Sequence, residues 1–115
     1  MSIDRKSRLS EEMKRIIGNI IQNELKDPRI PILTSVTGVE VTRDLRYAKV
    51  YVSVFGNDEE KAKCIEGLKS AAGFIRKEVG NHIKIRYIPE PVFELDNSIE
   101  HGIHISALLR EVNKE

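Results

Sequence analysis

The stretch KSAAGFIRKEVGNHIKIRYI, residues 69–88, carries five cations, Lys69, Arg76, Lys77, Lys84 and Arg86, against one carboxylate, Glu78. Ammonium and guanidinium groups at that density, with little acid to neutralise them, suit contact with the phosphates of a polyanion. Ala71, Ala72 and Gly73 sit in the middle of its helical half, where glycine costs roughly 1 kcal/mol relative to alanine. At about 100° per residue, Ile65, Leu68, Ala72, Ile75 and Val79 fall on one side as a core stripe. Lys69, Gly73, Arg76, Lys77 and Gly80 cluster on an adjoining side, so the glycine lies inside a basic strip. Phe74 falls opposite the stripe, an awkward place for a large apolar ring. A kink at Ala71 to Gly73 answers both oddities: it rephases the second half, turns Phe74 inward and bares backbone beside the cations. Such a bend lets a sugar-phosphate backbone approach closely, with the amides of the new helical N-terminus aimed at phosphate oxygens. The alternative is that small residues only permit close helix packing and the cations form a solvated face. These residues alone leave both readings open.

Two further groups of cations invite the same question. Arg5, Lys6 and Arg8 precede the first expected helix within a flexible arm, residues 1–8, and either reach phosphate or form an ordinary solvated terminus. Arg43 and Arg46 lie in a hairpin turn, with Asp44 between them softening the field. Residues 89–115 reverse the sign, with Glu90, Glu94, Asp96, Glu100, Glu111 and Glu115 against Arg110 and Lys114. A formal net charge of +1 therefore hides one face that attracts polyanions and another that repels them.

Other chemistries find little support. His101 and His104 stand three apart near Glu94, Asp96 and Glu100, without further ligands at diagnostic spacing, and read as surface histidines. Cys64 has no paired cysteine or nucleophile motif and reads as a partly buried thiol. Glu11 with Glu12, and Glu59 with Glu60, read as first-turn residues that compensate helix dipoles. No P-loop, GxSxG or HExxH occurs. The expectation is a binding protein, not an enzyme, with no metal, no cofactor and no small-molecule substrate. Of the aromatics Tyr47, Tyr51, Tyr87, Phe55, Phe74 and Phe93, some could stack on bases, but most are expected in the core of a chain without tryptophan.

The elements that must position these groups follow from periodicity. The 115 residues suit one domain, with residues 113–115 a frayed tail, and the balance of 40% hydrophobic to 32% charged residues suits a folded globule. One cysteine fits a reducing compartment, and the absence of a signal-like or membrane-length apolar run points to the cytoplasm, with no membrane contact. Ser10 is expected to cap a helix carrying Met13, Ile16, Ile17, Ile20 and Ile21, which stops before KDPRIP. Val39 and Val41, then Ala48, Val50, Val52 and Val54, alternate as two strands of an antiparallel hairpin. Asn57 with Glu60 forms a capping box that opens the second helical stretch, which ends at Gly80 and Asn81. IKIRYI alternates as a third strand, and Pro89 and Pro91 imply a bulge or edge position before VFEL. Ser98 caps a last helix bearing Ile99, Ile103, Leu108, Leu109 and Val112. The order is an α+β sandwich of two layers, helices on one face of a small sheet.

Three long segments, ELKDPRI, VTGVEVTRDLRYAKVYVSVFG and AAGFIRKEVGNHIKIRYIPEPVFELDNSIEHG, resemble the ribosome-binding factor A family of bacterial ribosome assembly factors over nearly the whole chain. The resemblance implies a type II KH-like fold in the order α-β-β-α(kink)α-β-α, with a three-stranded sheet. In this family a helix-kink-helix with an Ala-x-Gly signature replaces the GxxG loop; Ala71, Ala72 and Gly73 match it, and no GxxG occurs. It further implies a monomeric binder of 16S rRNA in the 30S subunit, acting in late subunit maturation, 16S rRNA processing and growth in the cold. A rival expectation is a protein-protein module that uses the hairpin edge or the acidic C-terminal helix and makes no direct RNA contact.

Overall fold

Leu9, Met13, Ile16, Ile17, Ile20 and Ile21 repeat at three-and-four spacing, and in the computed structural model, which describes residues 5–96, they form the inner stripe of α1 (Arg5–Asn23). The helix thus begins before Ser10. That residue is no cap: buried within the helix, its hydroxyl donates to the Lys6 carbonyl at 2.8 Å and accepts the Val41 amide at 3.2 Å, tying α1 to the first strand. Leu9 continues the apolar stripe one turn backwards, which is why helix persists through RKSRLS. Arg5, Lys6 and Arg8 therefore belong to α1, not to an arm ahead of it, and Glu11 and Glu12 stand beyond its first turn.

The hairpin forms as its alternation dictates: β1 (Ser35–Val41) pairs antiparallel with β2 (Tyr47–Ser53), with a register shift between Val36 and Gly38. Ala48, Val50 and Val52 are buried on one face, while Tyr47 and Lys49 point to the other. In the connecting turn the Asp44 carboxylate accepts the Thr42 hydroxyl at 2.7 Å and the Arg46 amide at 3.1 Å. The Thr42 hydrogen bond is the main reason its carboxyl is held below the ordinary value. Leu45 there takes a positive φ of 63°.

Asn57 and Glu60 close the expected capping box at the start of α2 (Asp58–Ser70), with Glu59 and Glu60 in the first turn. Cys64 is fully buried, not partly so, with its sulfur 3.7 Å from the Thr34 hydroxyl; burial pushes the thiol up from its ordinary value. After one non-helical residue the chain continues as α3 (Ala72–His82).

The third strand is not IKIRYI. Of its alternating residues only Ile83 is buried, whereas Ile85 and Tyr87 are 42% and 59% exposed. The strand is β3 (Glu90–Leu95), parallel to β2, in the sheet order β1-β2-β3. Both sides of β2 are taken, one by β1 and the other by β3, so EPVFEL and not IKIRYI fills the place beside it. Pro91 and Phe93 bury the deeper apolar set beneath the helices, and Pro91 is tolerated because β3 is an edge strand. Parallel pairing demands a crossover, which α2 and α3 provide. The core lies between the sheet and the three helices, from Met13, Ile17 and Ile20 through Val50, Val52 and Phe93 to Leu68, Ile75 and Val79.

The loop after α1 is fastened to α2 at Gly67. Asp27 and Arg29 pair at 2.7 Å, and the Arg29 side chain holds the Asp27 carboxyl down to about 2. A Cβ on Gly67 would stand 3.2 Å from Ile30 Cγ1 and 3.3 Å from Arg29 Cβ and Asp27 Oδ2. Gly67→Val is therefore expected to destabilise the fold by about 1–3 kcal/mol through overpacking, read as a lower midpoint in urea with an unchanged slope. A midpoint equal to wild type would show that the loop yields freely.

The expected cap at Ser98, the last helix and the histidines His101 and His104 lie outside the described residues.

Candidate nucleic-acid interface

The break between α2 and α3 falls where the small residues predict it. Ala71 has φ −90° and ψ −1°, and its amide is shared between the carbonyls of Gly67 and Leu68, both at 3.1 Å. Helical bonding resumes at once, the Ile75 amide reaching the Ala71 carbonyl at 2.9 Å. Among the described residues no side chain caps the start of α3. Phe74 is not drawn inward; it remains 44% exposed, because a one-residue break leaves Ile75 and Val79 in the core positions.

Among the described residues Gly73 has no internal reason to be glycine: its φ is not positive, and a Cβ there would meet none of them within 4 Å. It opens instead onto a shallow cleft of about 360 Å³ whose cationic lining is Arg76, Lys77 and Arg86, with Gly80, Tyr87 and Ile88 completing it. Arg76 is held there by its Nε, which donates to the Ile88 carbonyl at 2.9 Å, and its guanidinium carbon stands 5.1 Å from the centre of the Tyr87 ring. Lys77 and Arg86 are exposed. No carboxylate lines this cleft among the described residues.

A larger groove of about 900 Å³ lies at the closed end of the hairpin, between the start of α1, the β1–β2 turn and residues 83–87. It gathers Arg5, Arg8, Arg46 and Arg86, over an apolar floor that includes Leu45, Tyr47 and Ile85. Glu12, Asp44 and Glu90 line it as well. Of the ten cations singled out in the sequence, Arg86 alone borders both recesses. Lys69 in the last turn of α2, Lys84 before the groove wall, Lys6 on α1 and Arg43 in the hairpin turn line neither.

The aromatic residues are less buried than expected of a chain without tryptophan. Phe93 is in the core and Tyr51 is half-buried, but Tyr47, Phe55, Phe74 and Tyr87 are exposed. Tyr87 is the residue that sequence reasoning undervalued. Its alternation with Ile83 and Ile85 gave it the pattern of a core position, and its partnership with Arg76, eleven positions earlier, exists only in three dimensions. The one signal in the chain was Pro89 and Pro91 nearby, which argue against a regular strand continuing through the segment.

A profile of the family described as ribosome-binding factor A matches residues 5–109. The chain belongs to the ribosome-binding factor A family. Ribosome-binding factor A of Acetivibrio thermocellus is 61% identical over 113 residues, covering 98% of this chain and 92% of that one. The crystal structure of ribosome-binding factor A from Thermus thermophilus superposes with a TM-score of 0.70 at 27% identity, over 78% of this chain and 93% of that one. A Thermus thermophilus homology model fitted into the cryo-EM map of a complex between the 30S subunit and ribosome-binding factor A gives 0.66 at 26% identity, over 81% and 97%. The fold is accordingly KH-like, α+β, with the break at Ala71 standing between the paired helices. No helix among the described residues is long and apolar enough to cross a membrane, and no group of three or more potential metal ligands occurs among them.

Proposed function

We propose that this chain is a non-catalytic assembly factor that binds the small ribosomal subunit through its 16S rRNA. The observation that carries the reading is the cleft beside the helix break, where Arg76, Lys77 and Arg86 meet an unobstructed glycine and no opposing acid among the described residues. Family membership and the likeness to a homology model fitted in a 30S complex support the same partner. Phosphate oxygens are met by cations around the cleft and by backbone at the start of α3, where the dipole favours negative charge. Contacts of this kind position the protein on folded RNA by shape rather than by base sequence. Binding that favours one local rRNA conformation holds it until maturation removes the difference in affinity. The roles in late 30S maturation, 16S rRNA processing and growth in the cold, and action as a monomer in the cytoplasm, complete the proposal and rest on family resemblance.

Co-sedimentation of the chain with purified 30S subunits, followed by chemical footprinting of the 16S rRNA, tests it. Protection of a discrete set of nucleotides is the expected result. Association that survives ribonuclease digestion and leaves no footprint would instead favour a protein contact, for which Ile32, Leu33 and Phe55 offer a surface. They flank the paired ends Ser35 and Ser53 of the hairpin and are 89%, 70% and 80% exposed.

A further inference from the structure

Ile32, Leu33 and Phe55 are 89%, 70% and 80% exposed, and all three stand at the open end of the hairpin. Leu33 lies two residues before Ser35 and Phe55 two residues after Ser53, and those serines are paired across β1 and β2. A large apolar side chain exposed singly is ordinary, whereas three gathered at one end of a sheet mark a surface that something covers.

β3 runs parallel to β2, so it finishes at this same end: Leu95 pairs with Val52, and the Asp96 amide donates to the Val52 carbonyl at 2.8 Å. The Asp96 carboxylate also accepts the Thr37 hydroxyl of β1, which fixes the point of departure a second time. Residues 97–115 therefore start beside the patch. Six of the fourteen residues from Ile99 to Val112 are isoleucine, leucine or valine, a density that favours removal from water. Ile99, three residues on, can stand no more than about 10 Å from Asp96. The apolar groove at the closed end of the hairpin is out of its reach, because the seven residues of β2 separate the two ends by roughly 20 Å. So short a tether also holds the segment at the patch at an effective concentration of about millimolar, which favours it over a separate molecule.

We infer that residues 97–112 fold back over this end of the sheet, with Ile99 and Ile103, four apart and so neighbours on a helical turn, covering Leu33 and Phe55. The occupant of the patch is a segment of the same chain. This placement keeps the Glu100 carboxylate nearly a strand's length from the four arginines of the groove, where it would otherwise compete with an anionic ligand. The inference stands apart from the RNA-binding reading and uses none of its residues.

Amide hydrogen exchange of the full chain, resolved by residue, tests it. Amides from Ile99 to Leu109 are expected to exchange at least about tenfold slower in wild type than in the double variant Leu33→Ser with Phe55→Ser, at rates independent of protein concentration. Chemical shifts of the buried stripe of α1 and of β2 stay at wild-type values in that variant, because both substituted side chains are exposed. Nuclear Overhauser effects from the Phe55 ring to the methyl groups of Ile99 or Ile103 are expected in wild type, and they persist when labelled chain is diluted with unlabelled chain. No protection in wild type, protection that survives the two substitutions, or the absence of those effects overturns the proposal. Protection that grows with protein concentration overturns it as well and assigns the patch to a second copy of the chain.

Discussion

Replacing Lys77 and Arg86 together by alanine is expected to weaken association with 30S subunits by about ten- to a hundredfold at moderate salt, since each change removes a charge-assisted hydrogen bond to phosphate. The slope of log affinity against log salt should fall by about 1.4–1.8, about 0.7–0.9 for each phosphate that the protein no longer neutralises. Both side chains are exposed and neither anchors the fold, so the unfolding midpoint should stay near that of wild type. Arg76 is a poorer choice for this experiment. Its Nε supports the Ile88 carbonyl and its guanidinium packs on Tyr87, so Arg76→Ala would combine weaker phosphate binding with a loosened segment. Sedimentation at several salt concentrations measures affinity and slope together. If the double variant binds with wild-type affinity and wild-type slope, these cations serve only solvation, and the interface lies elsewhere on the surface.

Gly73→Val should separate binding from stability even more sharply. A Cβ at this position would meet none of the described residues within 4 Å, the backbone is not in the left-handed region, and the residue lies in a helix. Helix propensity alone then favours the substitution by a few tenths of a kcal/mol, and Gly73→Ala by up to about 1 kcal/mol. The expected outcome is an unfolding midpoint at or above that of wild type, with association to 30S subunits reduced more than tenfold by Val and less by Ala. That ranking by side-chain size is the signature of an external body lying against the backbone. A surface substitution on the far side, such as Lys49→Val on the open face of β2, provides the comparison. Equal binding by Gly73→Val and wild type would mean that nothing approaches closely there, and the glycine would be left without an explanation.

The contrast between Gly73 and Gly67 shows how little a residue type says without its surroundings. Both are helical glycines in one stretch of chain. Gly67 is required by the protein itself, because the loop from Asp27 to Ile30 lies against it. At Gly73 a Cβ would meet none of the described residues within 4 Å. The two substitutions are accordingly expected to act on different equilibria, one on folding and the other on binding.

Local signals were sufficient wherever a property depends on neighbours in sequence. The apolar stripe of α1, the alternation of β1 and β2, the capping box at Asn57 and the break at Ala71 all arise from interactions within a few residues, and the chain alone determined them. The same reasoning placed a cap at Ser10 because serine is favoured there. It failed because Leu9 extends the buried stripe and the hydroxyl is needed by Val41, thirty-one positions away. IKIRYI and EPVFEL both carry strand-like alternation; which of them pairs with β2 depends on how the crossover through α2 and α3 delivers the chain, and only the tertiary structure decided it. Distance in sequence also hid the grouping of charges. Ten cations were visible, but their division into a cleft without carboxylates among the described residues, a nearly balanced apolar groove and four outliers required α1, the hairpin turn and residues 83–88 to be brought together. Short-range steric and hydrogen-bonding preferences are written residue by residue, whereas an electrostatic surface is a sum over groups that folding alone makes neighbours.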